Sequence, residues 1–529
     1  MLGFSPVSVF PVSAFEESIR SWFRATATVS SNPSYVVYFS TEDFITEPSD
    51  LPANTPIEGT LVTALHYQRS IVGGEYGLGR FQSGFGTMEI IASDGAKDDL
   101  FDRYRPDGGR VALRIMEQGG LLSKSFLAFD GVGVRWAISR DRGSITVKDN
   151  SYKLDVPAQR SVYAGTGGLE GGTDLAGKRR PWPLGYVRNI PGALVIPTEN
   201  LYDLSDGPIQ AVTACRDRGA ALSFKADYAT TALLRSSALT TSQYGTCLAE
   251  GRARIGGNPS SQIRFDVQGD NLGGFVASTA DICRRLIDVA TIMAVPDGLA
   301  AGTFELVNVQ QPAPIGYYVA PDASDTVADV IEKLMASVGG WAGCRAQGKF
   351  EIGILLAPSS SDVPSFIYGA ADGDILSIDR QPLPDFLSPP PTSWRIAYDR
   401  NWSKQDDIAG SVAVVDPDLA AWLAKDTRYA LPSIPVSVPS GQKPIEVTKE
   451  SYFRDEVDAV AEANRCLALY RQNFNLYVYK VKDHIFMHEI GRDVRVTHPR
   501  FGLGAGRPLR NVSINDNTDD NTVELIGFG

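Results

Sequence analysis

The sequence predicts a multidomain β-rich/α+β chain, with barrel-like strand clusters toward both ends and α+β material between them. Three observations predict it. Short apolar stretches of strand length recur through residues 35–160 and again after residue 476, broken by glycine and aspartate turns. Glycine is abundant at 51 residues, beside 20 Tyr and 23 Phe, a composition suited to short strands and frequent turns. Helical periodicity is confined to a few segments, chiefly 279–290, 326–335 and 454–470. A chain of 529 residues has room for about three or four domains.

Taken in order, residues 1–34 read as an N-terminal arm. Residues 35–160 read as a first β-rich domain, with expected strands at 35–39, 60–67, 87–92, 111–116, 126–129, 132–138 and 144–148. Asp94-Gly95 and Asp107-Gly108 supply its turns. Residues 161–275 form an interface loop and a second β-rich region. Its first part, up to about residue 200, is rich in glycine, and little regular structure fits it. Long ordered loops of this kind cover a surface or make an interface. Strand character resumes near Ile209 and again over 221–228.

Residues 276–385 read as a peripheral α+β domain. Ile282, Leu286 and Val289 mark a helix over 279–290, with Ser278 or Thr279 as cap. A second helix over 326–335 has Asp325 as expected cap and Gly339-Gly340 as stop, and a strand follows at 350–356. Five prolines in 379–391 mark a boundary. Residues 386–529 then read as a C-terminal barrel-like domain with a helix. It has a strand at 393–398, a short helix near 418–424, and a helix over 454–470. In that last helix Val457, Val460, Ala461, Asn464, Leu467 and Ala468 occupy or approach one face. Strands are expected at 476–481, 485–490, 494–497, 509–514 and 522–526.

Charge and composition exclude some functions. Lys and Arg number 50 against 62 Asp and Glu, a formal net charge of −12. A general nucleic-acid binder needs the opposite surface, and Lys178-Arg179-Arg180 reads as a solvated turn. The five cysteines, at 215, 247, 283, 344 and 466, have no metal-like spacing; they read as free thiols in a reducing compartment. The N-terminus has no basic start and is interrupted by Glu16 and Glu17, a poor signal peptide. No apolar run of membrane-spanning length occurs.

Catalytic patterns are absent as well. There is no nucleophile elbow, zinc-protease helix or phosphate-binding P-loop sequence. Gly165-Thr-Gly-Gly168 opens no helix and reads as a tight loop. His66 and His498 lack sequence-local activating partners. His484 and His488 would share a strand face, where a metal is conceivable, but ordinary histidines account for them. Asp43, Glu47, Asp98, Asp99 and Asp102 are formal candidates for a carboxylate pair; turn or cap roles account for each. Asp516, Asp519 and Asp520 invite a calcium site, against the simpler reading of a terminal hairpin turn. No catalytic residue, cofactor or metal ligand is therefore assigned. Trp182, between Pro181 and Pro183, is equally suited to anchor an interface or plug its own domain; Trp402 favours self-packing.

Three stretches carry a resemblance. They are Gly172-Thr-Asp-Leu-Ala-Gly-Lys-Arg-Arg-Pro-Trp-Pro-Leu-Gly-Tyr-Val-Arg-Asn189, continued by Leu201-Tyr-Asp-Leu-Ser-Asp-Gly-Pro-Ile209; Ile396-Ala-Tyr-Asp-Arg-Asn-Trp-Ser-Lys-Gln405; and Glu489-Ile-Gly-Arg-Asp-Val-Arg-Val-Thr-His-Pro-Arg-Phe-Gly-Leu503, with Asn521-Thr-Val-Glu-Leu-Ile526. Gly86-Thr-Met-Glu-Ile90 adds to them. In this order they resemble the baseplate hub, or tail-tip, proteins of long-tailed bacteriophages and gene transfer particles. Gly491-Arg-Asp departs from the Gly-Asp commoner in that family.

The resemblance implies a non-enzymatic structural protein of the virion tail tip, assembled in the host cytoplasm. It implies a homotrimer in which each subunit gives two β-barrel tube domains to a pseudo-sixfold ring, with peripheral domains bracing it. Implied partners are the distal tail protein, the tape measure protein, and tail fibre or receptor-binding proteins, with transient contact to viral DNA in the channel. On this reading Gly177, Arg180, Trp182 and Arg188 are interface candidates, Gly177 serving backbone geometry. An acidic lumen would let DNA pass without holding it. Competing classes are a tail-associated carbohydrate hydrolase and a peripheral receptor-binding protein.

Overall fold

Strands from both ends of the chain share one sheet. The computed structural model describes residues 23–31, 34–72, 84–93, 95–117, 119–260, 263–384, 387–434, 443–472, 474–482 and 485–529. Its largest sheet runs Tyr35–Ser40, Phe23–Ser31, Arg110–Glu117, Phe126–Ile138, Arg142–Asp149, Phe85–Ile91, Leu61–Ser70, Arg507–Asn517, Thr522–Phe528, Leu476–Lys482, Ile375–Gln381. Asp493–Thr497 pairs beside Arg507–Asn517 and carries the parallel strand Phe366–Gly369. The seam between the two ends is antiparallel, with Ser513 opposite Ser70 and Asn517 opposite His66. Thr518 ties it from its side chain, accepting the Leu65 N–H at 3.0 Å and donating to the Leu65 carbonyl. Inward residues such as Leu65, Met88, Val147, Ile514 and Leu525 are fully buried and form a continuous core beneath the seam.

Three smaller sheets of three or more strands lie in the rest of the described chain. One orders Ala220–Ala221, Ile209–Asp217, Ile263–Asp270, Trp182–Ile190 and Gly316–Val319; another orders Ala193–Ile196, Leu201–Asp203, Arg252–Ile255, Gln243–Cys247 and Ser223–Asp227. Arg428–Ala430, Ser393–Tyr398 and Glu446–Phe453 make the third, on which the helix Glu456–Tyr470 packs. Helices Thr279–Ala290 and Val327–Ser337 bury Ile282, Leu286, Val330, Ile331 and Leu334 in the main core. Ser278 caps the first, accepting the Asp281 N–H. The chain is thus β-rich with α+β parts, and among the described residues no sheet closes on itself as a barrel.

Several expectations need correction. Residues 23–31 of the expected arm are a sheet strand; their Ala/Thr alternation has too little hydropathy contrast to read as one, yet Ala25, Ala27 and Val29 are fully buried. The supposedly irregular stretch holds strand Trp182–Ile190, hidden by its proline and glycine. Its first residues pair with Gly316–Val319 and its later ones with Ile263–Asp270. Gly185 (φ 66°) stands at the changeover, where a Cβ would strike the Ile315 carbonyl. Strands Phe366–Gly369 and Ile375–Gln381, assigned to the peripheral α+β domain, belong to the large sheet. Residues 485–490 are a turn rather than a strand: Phe486 has φ 61° and gives its N–H to Asp516.

Two helix details also differ. Thr326, not Asp325, caps the second helix, in a reciprocal capping box with Asp329; Asp325 instead accepts the Tyr317 hydroxyl and Lys333. Helix Glu456–Tyr470 buries Ala459, Glu462, Ala463, Cys466, Leu467 and Tyr470, while Val457 is 71 % exposed. Small alanines and an inward glutamate disguised the true face.

Candidate functional site

Two of the sequence stretches singled out above meet in space. Strand Trp182–Ile190 ends the first, and the second runs from strand Ser393–Tyr398 into the turn after it. Arg188 donates to both Asp399 oxygens, at 2.7 and 2.8 Å. The Asn189 amide donates to Asn401 Oδ1 at 2.8 Å and to the Ser403 carbonyl at 2.7 Å. The Asn401 amide in turn donates to the carbonyls of Trp422, Leu423 and Lys425. Asn189 and Asp399 adopt φ 58° and 50°, a left-handed geometry that short polar side chains tolerate best. Buried Asp266 holds Arg216 through two bonds of 2.8 and 2.7 Å and also accepts the Asn189 N–H. Burial works to raise the Asp266 pKa, but the Arg216 fork and nearby Arg188 outweigh it and hold the group below the usual carboxylate range.

The four interface candidates divide. Gly177 has φ 77° with open space where a Cβ would stand, so it serves the turn geometry. Arg180 is buried and bridges Asp203 and Glu170, each at 2.7 Å, with its guanidinium 4.4 Å from the Tyr163 ring centroid. Trp182 is 1 % exposed and its indole N–H reaches Asp270 at 3.1 Å, so it packs into its own chain. Arg188 is partly exposed and belongs to the junction just described. The structure thus brings Arg188 to the second stretch and spends Arg180 and Trp182 on internal contacts.

The remaining candidates have ordinary partners. In the glycine-rich loop the Glu170 carboxylate itself accepts the Ala164 N–H at 3.1 Å. Asp43 accepts the Gly59 N–H, and Asp98 and Asp99 lie in the first turn of helix Asp98–Arg103, Asp99 pairing with Arg103. His66 faces Asp519 at 3.2 Å, and Asp520 faces Lys480. Asp516 is wholly buried, so the three C-terminal aspartates do not share one exposed turn. His484 lies outside the described residues, while His488 is buried against the Tyr368 hydroxyl at 3.0 Å. Trp402 stacks on Tyr452 at 5.9 Å, in keeping with self-packing. Among the described residues no group of three metal-ligating side chains occurs, and no helix is long and apolar enough to cross a membrane. In the third stretch Asp493 and Arg510 face each other across two strands with bonds of 2.7 and 3.0 Å. The extra Arg492 there uses its carbonyl to accept the Asn511 N–H.

Beside the Arg188–Asp399 junction opens a cleft of about 460 Å³, walled by Tyr186, Arg400, Trp402, Arg428, Tyr452 and Arg454 among others. Sequence reasoning missed it, because its residues come from seven separate segments; the one available signal was the turn-forming Asp399 and Asn401 within a stretch already singled out.

No family model and no curated protein matches the chain. It is similar to several solved structures. One is a tail protein from Neisseria meningitidis MC58, at 9 % identity over 96 % of this chain and 97 % of that one, with a TM-score of 0.41. Another belongs to a native gene transfer agent virion, at 13 % identity over 66 % and 84 %, TM-score 0.38. A third is a prophage MuSo2 43 kDa tail protein from Shewanella oneidensis, at 10 % identity over 95 % of each chain, TM-score 0.36.

Proposed function

We propose that this chain is a structural hub at the tip of a phage-type tail, acting as a homotrimer that continues or closes the tail tube. The observation that carries the reading is the large sheet, which merges strands from both ends of the chain and stays open at Tyr35–Ser40 and Ile375–Gln381. Each of these outer strands pairs with one neighbour strand among the described residues. A subunit with different open edges can join head to tail, and such contacts form a ring when the rotation closes. In the ring each subunit would supply two tube domains, one on each side of the Leu61–Ser70 and Arg507–Asn517 seam, and closure of the barrels would come from neighbouring copies. The ordered sequence stretches quoted above support the same reading.

On this reading the hub meets the distal tail protein and tape measure protein on the tube axis, and fibres or receptor-binding proteins at its periphery. DNA passes through the lumen without being held, and Gly177 and its neighbours face an assembly partner. No step of the reading calls for catalysis. Electron cryomicroscopy of intact particles tests it. Three copies around the tail axis, with both sheet regions lining an acidic channel, are expected. Peripheral copies without channel contact, or a basic inner surface, would overturn it.

A further inference from the structure

The hairpin of strands Asp493–Thr497 and Arg507–Asn517 carries positive charge that the chain leaves uncompensated. Between residues 494 and 511 it holds Arg495, Arg500, Arg507 and Arg510 and no Asp or Glu, in a chain whose formal net charge is −12. Arg510 is spent: it holds Asp493 through two bonds, with Asp362 3.9 Å away. The other three have neutral partners. Arg495 donates to the Ser360 carbonyl at 3.4 Å, Arg507 donates to the Tyr477 hydroxyl at 3.3 Å, and Arg500 lies 4.9 Å from the Phe501 ring centroid. Arg380 is a fourth such group, standing opposite Tyr477 where strands Ile375–Gln381 and Leu476–Lys482 pair. Among the described residues none of these four has a carboxylate within 4 Å. Arg380 and Arg500 are exposed, and Arg495 and Arg507 are partly so.

The turn between the two strands is tied down. Leu503 is fully buried, and its carbonyl accepts the N–H groups of His498 and Gly506 at 3.2 and 3.0 Å. The Arg500 N–H gives to His498 Nδ1 at 3.2 Å, and the His498 ring stacks on Phe501 at 6.4 Å. Arg500 therefore rises from a fixed backbone. A guanidinium oriented by a neutral group keeps its whole charge and has N–H donors to spare. It also has less freedom left to lose when an anion binds. Elsewhere in the chain, arginines such as Arg110, Arg216 and Arg235 are matched by carboxylates of their own.

We propose that this hairpin end docks an acidic segment of a partner protein, whose carboxylates are received by Arg500 and Arg507. Arg495 and Arg380 flank them in the order of the sheet. A carboxylate matches the paired donors of a guanidinium. A nucleic-acid strand fits less well. Its phosphates continue past the hairpin and meet the field of a chain carrying −12. A base would also need an open ring to stack on, and Phe501, the one phenyl ring of the turn, already carries Arg500 and His498. A short acidic segment meets the hairpin alone. The inference is independent of the tail-hub reading.

The test is fluorescence anisotropy on the full chain at low salt, with three labelled probes: hexaglutamate, hexaglutamine and a six-nucleotide oligo-dT. Saturable binding of hexaglutamate is expected, weakening as salt is raised, with no binding of hexaglutamine and weaker binding of oligo-dT. Arg500→Gln should weaken hexaglutamate binding by about threefold, and Arg500→Gln combined with Arg507→Gln by about tenfold. An unchanged circular-dichroism melt verifies that the variants fold. Lys178→Gln removes an exposed charge outside the hairpin and should leave binding unchanged. Absence of hexaglutamate binding, equal or tighter binding of oligo-dT, equal binding of hexaglutamine, indifference to the arginine variants, or an equal loss in Lys178→Gln would overturn the proposal.

Discussion

The seam of the large sheet and the seat of helix Glu456–Tyr470 each bury a carboxylate completely, and they treat it in opposite ways. Under the helix, Glu462 receives Lys449 Nζ and a two-pronged Arg465, at 2.7 and 2.8 Å. Burial alone would raise its pKa, but the two cations push it down to about 2. At the seam, Asp516 accepts the Phe486 N–H at 2.7 Å, while the fork of Arg69 goes to Glu489 and the His488 carbonyl. Burial there prevails and pushes the group up to about 6. Burial is the same in both; the direction of the nearest cation's donors decides the charge state.

The largest test of this contrast is Glu462→Gln. It strands Lys449 and Arg465 in the core and should cost about 3–5 kcal/mol, read as a lowered denaturant midpoint. An unchanged midpoint would mean the cations find water once the carboxylate is gone.

Next is the pH dependence. Asp149, which accepts Tyr67, Gly84 and Ser151, is also pushed up to about 6 by burial. Both aspartates have folded pKa values above the ordinary 3.8, so the folded state binds the extra protons. Their contribution is therefore full at pH below the ordinary value and falls as pH rises through about 6, by up to about 3 kcal/mol per group. Glu462 has the opposite sign: its contribution is present above 4.5 and is lost as pH falls toward 2. Melts across pH 4–8 should show stability declining toward the alkaline side, and Asp516→Asn should flatten that decline while stabilising the protein at pH 8. A decline of equal steepness in the variant would remove Asp516 from the account.

A smaller effect is expected at the asparagine contacts of the Arg188–Asp399 junction. Asn401→Ala removes one acceptor from the Asn189 amide and one donor from each of three carbonyls, of which those of Trp422 and Leu423 keep backbone N–H partners, worth about 1–3 kcal/mol. It should leave the pH profile unchanged, since no titrating group is lost. Smallest is Gly177→Ala, about 1 kcal/mol for a positive φ with room for the methyl. If this turn meets an assembly partner, the variant will fold almost normally yet show a larger loss in particle assembly; normal assembly would place the turn away from any partner.

Legibility in the sequence followed contrast in hydropathy. Helix 279–290 was readable because Ile282 and Leu286 stand out from Asp281, Arg284 and Arg285. Strand Phe23–Ser31 was not, because Ala and Thr differ too little. Helix Glu456–Tyr470 was found but turned the wrong way, because its inward face includes an ionised Glu462 that Arg465 and Lys449, the latter from a neighbouring strand, make tolerable. The same holds at the junction. Arg188 and Asp399 lie 211 positions apart, and local pattern carries no information about such a pairing. What the sequence did reveal were the two stretches that contain them.

The seam has a consequence for synthesis. Leu65 and Thr518 bond across 453 positions, so strand Leu61–Ser70 leaves the ribosome long before its partner Arg507–Asn517 exists. During that interval its edge offers unpaired backbone groups to any passing strand. Contacts of such long separation also form slowly. A nascent chain halted before residue 507 would lack its seam partner and be a natural target for chaperones or proteases. Arrival of strand Arg507–Asn517 therefore covers an edge that has stood open since strand Leu61–Ser70 was made.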